Sequence, residues 1–460
     1  MWFHTWTFAI FFIIVYTVYL AVKGTRLQDL WLLAASYVFY GWWNPWYLIL
    51  IVRCTFIDWL MVLLMSRTRK VWARRLCLVV SVVGNLAALA AFKYAGQIVG
   101  NINSLLAAGG YRPIPAPDWL LPVGISFFTF QSLSYVIDYY RGQVRFEPSL
   151  LRYASFVALF PQLVAGPIER AGHLLPQLRR PDRITPARVA EGLSMVVVGL
   201  FKKVALADCL AVYVDKVYAD PERFGAPALL LATVAFGWQI YFDFSGYSDM
   251  ARGLARMMGF RLMQNFNHPY LADSLRDFWR RWHISLSTWF RDYVYIPLGG
   301  SRRGRAATYL NLLATMLICG LWHGASWTFL IWGGLHAAAA AATRGLGRST
   351  AYQRRVPKIT KQLAVFAFVT LAWAFFRAET LADARAVVAG IFTGPWVDPG
   401  FPLLMMWMIA AVWGYQFAHE SRFRPVLQRR GVRMTIIVAM LLWLAFAPGA
   451  KQQAFIYFQF

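Results

Sequence analysis

The sequence predicts an all-α, polytopic membrane protein with about eleven transmembrane helices plus re-entrant and interfacial helices. Three observations carry that expectation. Of 460 residues 59% are hydrophobic and 17% aromatic, with a mean hydropathy of +0.47, too apolar for an ordinary soluble domain. Apolar runs of span length recur along the whole chain. Arginines and lysines gather in the short segments between those runs, so the formal net charge of +25 reads as the positive-inside rule and not as affinity for nucleic acid.

Taken in order, the runs near 5–22, 31–51, 54–65, 77–94 and 119–139 read as membrane helices. Basic clusters at Lys23 with Arg26, at Arg67 to Arg75, and at Arg141 with Arg145 fall at alternate ends of them, which places the N-terminus outside. Met1 to Lys23 lacks a basic start and a small-residue cleavage site, so it reads as a retained span. The turn Gly41-Trp42-Trp43-Asn44-Pro45-Trp46 suits an interfacial bend. Between Leu150 and Arg170 a shorter run is broken by Pro161, Gly166 and Pro167, the pattern of a re-entrant segment, and a basic cytoplasmic stretch with His173 as a loop residue follows. Spans near 190–210 and 226–242 come next. The second ends at Asp243 and Asp249, acids that either orient an imidazole, pair with the arginines of 276–291, or cap the next helix. Further runs lie near 362–376, 402–418 and 434–448. The four cysteines stand singly in apolar runs, without the spacing of a metal site, and read as core residues.

The centre of the chain lies between Arg276 and Thr343. The apolar stretch from 305 to 344 is too long for one span of about 20 residues and is interrupted at Gly320 and Gly324, so it predicts two helices meeting at Trp322-His323-Gly324. From Thr308 to Trp322 is about 20 Å of helix, which carries His323 deep into a hydrocarbon core about 30 Å thick. A histidine there is either functional or a neutral imidazole tying two helices together. His336, on the return limb, either faces the same cavity or packs against a backbone carbonyl. The preceding segment, 276–300, mixes arginines with large aromatics and reads as interfacial; on one continuous helix Trp279, His283 and Ser287 would align at i, i+4 spacing. Arg276, Arg280, Arg281 and Arg291 would seat either phosphates of an acyl donor or lipid headgroups.

The strings FWRRWHISLSTWFRDYVYIPLGG and LWHGASWTFLIWGGLHA, with LFPQLVAGPIER, YFDFSGYSDMARG and the terminal FIYFQF, resemble the membrane-bound O-acyltransferase (MBOAT) superfamily. The resemblance is to its bacterial alginate O-acetyltransferase (AlgI-type) branch in particular, with the D-alanyl transfer protein DltB a more distant relative. It covers most of the chain. It implies a single membrane domain over 1–460, organised as N-terminal helices (1–140), a catalytic core (150–345) and C-terminal helices (360–460) around a central funnel. It also implies that His323 is the catalytic histidine and that His283 holds the family's second characteristic position.

The resemblance implies O-acyl transfer, and its AlgI-type branch O-acetyl transfer, in the bacterial inner membrane. A histidine with an ordinary pKa near 6.5 takes a hydroxyl proton and returns it at neutral pH, and a thioester is already activated, so neither a metal nor a bound cofactor is needed. The expected donor is acetyl-CoA or an acyl-carrier-protein thioester. Trp322, Trp279, Ser287, Arg280, Arg281 and Asp243 are the candidate substrate-binding residues around His323 and His283. The resemblance implies hand-over to an extracytoplasmic SGNH-type O-acetyltransferase with a serine nucleophile and an exported, alginate-like polysaccharide as final acceptor. D-alanyl or other acyl transfer to a cell-wall polymer, and a non-enzymatic polysaccharide or lipid exporter, are the alternatives.

Overall fold

The computed structural model describes residues 1–117, 119–164, 166–446 and 455–456. Among them every regular element is helical. The chain divides into two compact units, Met1–Val196 with Met250–Met263, and Val197–Asp249 with Gln264–Phe460. Five helices among the described residues are long and apolar enough to cross a membrane, and a sixth apolar helix is a little shorter. The protein is a multi-pass, all-α membrane protein.

In the first unit, α1 (Trp6–Val22) starts where the Thr5 hydroxyl accepts the Phe8 N–H, and α2 (Gln28–Gly41) follows a glycine turn. The run expected at 31–51 is cut at Trp42–Asn44, so the next helix, α3 (Leu48–Arg67), joins what the sequence divided into two. The cause is Pro45, which takes the first position of a short 3-10 turn capped by the Asn44 side chain. A 38-residue helix, α4 (Val71–Ala108), is about 57 Å long and far exceeds the hydrocarbon thickness that hydropathy reports. Helix α5 (Ile125–Tyr140) begins at Gly124, whose left-handed φ of 75° no other residue adopts cheaply and whose Cβ position lies 2.7 Å from the Leu163 carbonyl oxygen.

The proline-broken run is two short helices, α6 (Leu150–Ala158) and α7 (Phe160–Leu163). His173 lies not in a loop but in α8 (Ala171–Arg179), where its Nδ1 meets the buried Glu169 carboxylate at 2.6 Å. Buried charges here are paired: Glu147 accepts from Arg179 at 2.7 and 2.9 Å. The fully buried Asp58 of α3 accepts from Ser81 (2.5 Å), Asn85 (2.8 and 2.9 Å) and Ser132 (2.5 Å), tying α3 to α4 and α5. Helix α9 (Pro186–Leu200) closes this part of the chain.

In the second unit α9 runs into a π-helical turn at Phe201–Ala207 and then α10 (Asp208–Tyr218). Helix α11 (Ala226–Met257) is 32 residues long, so Asp243 and Asp249 lie within a helix and not at its edge. Two short helices, α12 (Leu275–Arg281) and α13 (Ile284–Phe290), precede α14 (Gly304–His323) and α15 (Trp327–Leu346). The last two pack closely because glycine gives way to backbone: a Cβ on Gly320 would stand 2.3 Å from the Phe329 carbonyl oxygen, and one on Gly333 2.4 Å from that of Met316. The remaining helices are α16 (Thr350–Arg355), α17 (Lys358–Arg377), α18 (Leu381–Thr393), α19 (Leu403–His419), α20 (Arg424–Leu427) and α21 (Arg430–Phe446). Of these α18, which begins with a Thr380–Asp383 capping box, escaped the sequence reading because its 13 residues are too short for a span. The terminal FIYFQF lies outside the described residues except for Phe455 and Ile456.

Candidate active site

Helix α14 ends on His323, and Ser326 begins α15 by accepting the Thr328 N–H, so the expected break falls at Gly324. Gly324 is required there: a Cβ would meet the Phe329 ring at 2.3 Å. The helix starts at Gly304, within the basic flank of Arg302, Arg303 and Arg305, and carries His323 about 30 Å from its first residue. The imidazole is 5% exposed and sits among rings, 4.8 Å from Trp322, 4.9 Å from Phe376 and 5.2 Å from Trp332 between centroids.

The His283 ring lies 6.3 Å from that of Trp322, the ring that His323 also touches. Its imidazole is 1% exposed and meets the Phe244 ring edge-on at 4.6 Å. The i, i+4 stripe of Trp279, His283 and Ser287 does not form. Helix α12 stops at Arg281, His283 adopts a left-handed φ of 40°, and α13 restarts at Ile284. A non-glycine residue there costs about 1–3 kcal/mol unless its surroundings hold it. Asn265 supplies the hold: its carbonyl accepts the Ile284 N–H at 2.9 Å and its side chain accepts the Ser285 hydroxyl at 2.7 Å, while its amide donates to Ser248 at 3.1 Å. Nothing local announces this clamp, because Asn265 lies 18 positions before His283 in an irregular segment. Burial among rings, outside the spanning helices, pushes the His283 imidazole down to about 3, so it is neutral throughout the physiological range. With so low a pKa the ring is a weak base, while its N–H and lone pair can still orient a partner by hydrogen bonding.

The remaining candidates divide. Trp322 neighbours both histidine rings, His323 at 4.8 Å and His283 at 6.3 Å. Trp279 lies further along, against Trp332 (5.8 Å) and His336 (5.2 Å). The half-buried Ser287 donates its hydroxyl to the Trp282 carbonyl at 3.1 Å. Arg281 is committed to Asp277 at 2.8 Å and to Glu420, whereas Arg280 is exposed.

Asp243 pairs with none of the arginines of 276–291. Its carboxylate meets Lys203 Nζ at 2.9 Å and accepts the Ile456 N–H at 2.7 Å, and Lys203 also meets Asp208 at 2.8 Å. Asp249 pairs with Lys202 at 2.7 Å. Sequence inspection overlooked Lys203 because it looks like an interfacial lysine, yet it is 1% exposed and neutralised by two carboxylates. Among the described residues no three histidine, cysteine or acidic side chains group as metal ligands would.

Residues 2–381 match the model of the MBOAT, membrane-bound O-acyltransferase family. The chain is 44% identical over 377 residues to the "Probable alginate O-acetylase AlgI" of Pseudomonas aeruginosa, covering 82% of this chain and 72% of that one. It is 36% identical over 396 residues to the peptidoglycan O-acetyltransferase of Helicobacter pylori (80% and 74%), and 25% identical over 264 residues to the teichoic acid D-alanyltransferase of Bacillus subtilis (54% and 66%). The chain belongs to the membrane-bound O-acyltransferase family and is an acyltransferase.

Proposed function

We propose that the protein moves an acetyl group from a cytoplasmic thioester, acetyl-CoA or an acylated carrier protein, across the bacterial inner membrane for O-acetylation of an exported, alginate-like polysaccharide, through an extracytoplasmic SGNH-type partner. The observation that carries the reading is the pair of buried imidazoles that both neighbour Trp322, on a chain whose relatives include O-acetylating enzymes of polysaccharides. His323 acts as general base. It takes the proton of an acceptor hydroxyl as that oxygen attacks the thioester carbonyl; the C–O bond forms, the C–S bond breaks, and the proton passes to the leaving thiolate. His283, held neutral by burial, orients donor or acceptor by a hydrogen bond. The exposed arginines Arg276 and Arg280, with Arg291, which also meets Asp292 at 2.7 Å, offer donor phosphates charge-assisted contacts.

Acetyl analysis of the secreted polymer tests this. A deletion strain complemented with wild type should export acetylated polymer, and one complemented with His323→Ala should export the same amount of polymer without acetyl ester. Wild-type acetylation by the variant would remove His323 from the reaction. Loss of export itself would favour a conduit without chemistry, and loss of D-alanyl ester in place of acetyl would favour the teichoic-acid type of transfer.

A further inference from the structure

Helix α15 places Trp332 and His336 one turn apart on one face. His336 is fully buried. Its ring lies 4.7 Å from Trp332, 5.2 Å from Trp279, 5.5 Å from Phe368 and 6.1 Å from Phe278. Neither ring nitrogen has a hydrogen-bond partner among the described residues, so the backbone-carbonyl anchor that the sequence left open is not made. The indole N–H groups of Trp279 and Trp332 are buried and lack a protein partner in the same way. Buried polar atoms are almost always satisfied, and each one left alone forfeits a hydrogen bond it had in water. A phenylalanine would fill the His336 position at no such loss. Four unsatisfied nitrogens clustered on three touching rings, one ring from His323, therefore point to a ligand group that completes them.

The chemistry of the cluster narrows that group. A neutral imidazole supplies one N–H and one lone pair, and the two indoles supply two further N–H groups. A secondary amide, with one N–H and a carbonyl that accepts twice, satisfies the imidazole lone pair and two of the three N–H groups. A charged headgroup does not: the four surrounding aromatic rings bring no positive charge to an anion, and a cation would leave the N–H donors unmatched. Coenzyme A and carrier-protein thioesters both carry such an amide two carbons from the sulfur. Trp332 touches both histidines, so a thioester whose reacting carbonyl lies at His323 brings that amide toward His336.

We propose that His336, with Trp279 and Trp332, forms the subsite for the amide nearest the sulfur of the acyl donor, and that it makes His336 a determinant of donor affinity. This rests on the thioester reading above. The test compares two small donors with the full-length protein in lipid vesicles, S-acetyl-N-acetylcysteamine, which keeps the amide, and ethyl thioacetate, which lacks it. Thiol release is followed for both and for acetyl-CoA. Wild type should use the amide-bearing donor about tenfold better in kcat/KM, through KM, as one matched buried hydrogen bond predicts. His336→Phe should bring the ratio close to unity, while His336→Gln, which keeps a donor and an acceptor, and Trp279→Phe, which removes one indole N–H, should fall between. If His336→Phe does not yield folded protein, the ratio in the other two variants decides.

A wild-type ratio near unity, or no turnover of either small donor while acetyl-CoA is consumed, would overturn the subsite. So would an undiminished ratio in folded His336→Phe. Consumption of no thioester at all, acetyl-CoA included, would instead sink the acyl-transfer reading.

Discussion

The surroundings of Asp58 in the first unit and of His336 in the second are both deeply buried polar sites, and they are built on opposite terms. Asp58 is 0% exposed, and its two oxygens accept four hydrogen bonds from Ser81, Asn85 and Ser132, with Ser132 in turn 2.7 Å from the Tyr153 hydroxyl. Every group in that knot is spent on the protein itself, and its work is to join α3 to its neighbours. His336 is as fully buried, but its nitrogens have nothing of the described protein to bond. A buried polar group that is satisfied specifies structure; one that is unsatisfied is maintained at a cost in stability and points to a transient partner.

Replacing each by an apolar residue of similar size should separate the two most widely. Asp58→Leu leaves three donors in the first unit unpaired and should destabilise the protein by about 3 kcal/mol, read as a lowered melting temperature in detergent. His336→Phe removes no protein hydrogen bond and should change stability by less than about 1 kcal/mol, with either sign. Equal losses from both substitutions would erase the distinction.

A smaller effect, read by pH, concerns His283, another buried imidazole of the second unit. Its pKa is about 3 in the folded protein, against roughly 6.5 for an unfolded histidine. Between those values the unfolded chain binds the extra proton, so stability falls as pH is lowered from about 6.5 towards 3. The slope contributed by one such group is at most about 1.4 kcal/mol per pH unit. The melting temperature of wild type should therefore drop more steeply between pH 7 and pH 5 than that of His283→Phe. Parallel slopes would mean that the ring is protonated in place.

How far the sequence reaches can be read from individual residues. Hydropathy located α1, α14, α15, α17 and α19 because each presents apolar side chains over nearly its whole length. It truncated α11 at the polar residues after Tyr241, since Asp243 looks like a helix end until Lys203 is found beside it. The pair His323 and His283 was legible as motif, but their sharing Trp322 as a common neighbour was not. It depends on a left-handed residue held by Asn265, a long-range hydrogen bond that no periodicity encodes. His336 was visible only as a choice between cavity and carbonyl, and the choice turns on which atoms surround it in three dimensions.

Whether His323 moves the proton in acyl transfer can be read from acetyl transfer out of a labelled thioester by purified protein in sealed vesicles. Wild type and His323→Ala would be compared at equal amounts of folded protein, with label counted as oxygen ester on an added alcohol or on the partner transferase. The account predicts a rate lowered by about 10²–10⁴-fold in the variant with donor affinity little changed. Transfer by His323→Ala at the wild-type rate would contradict it.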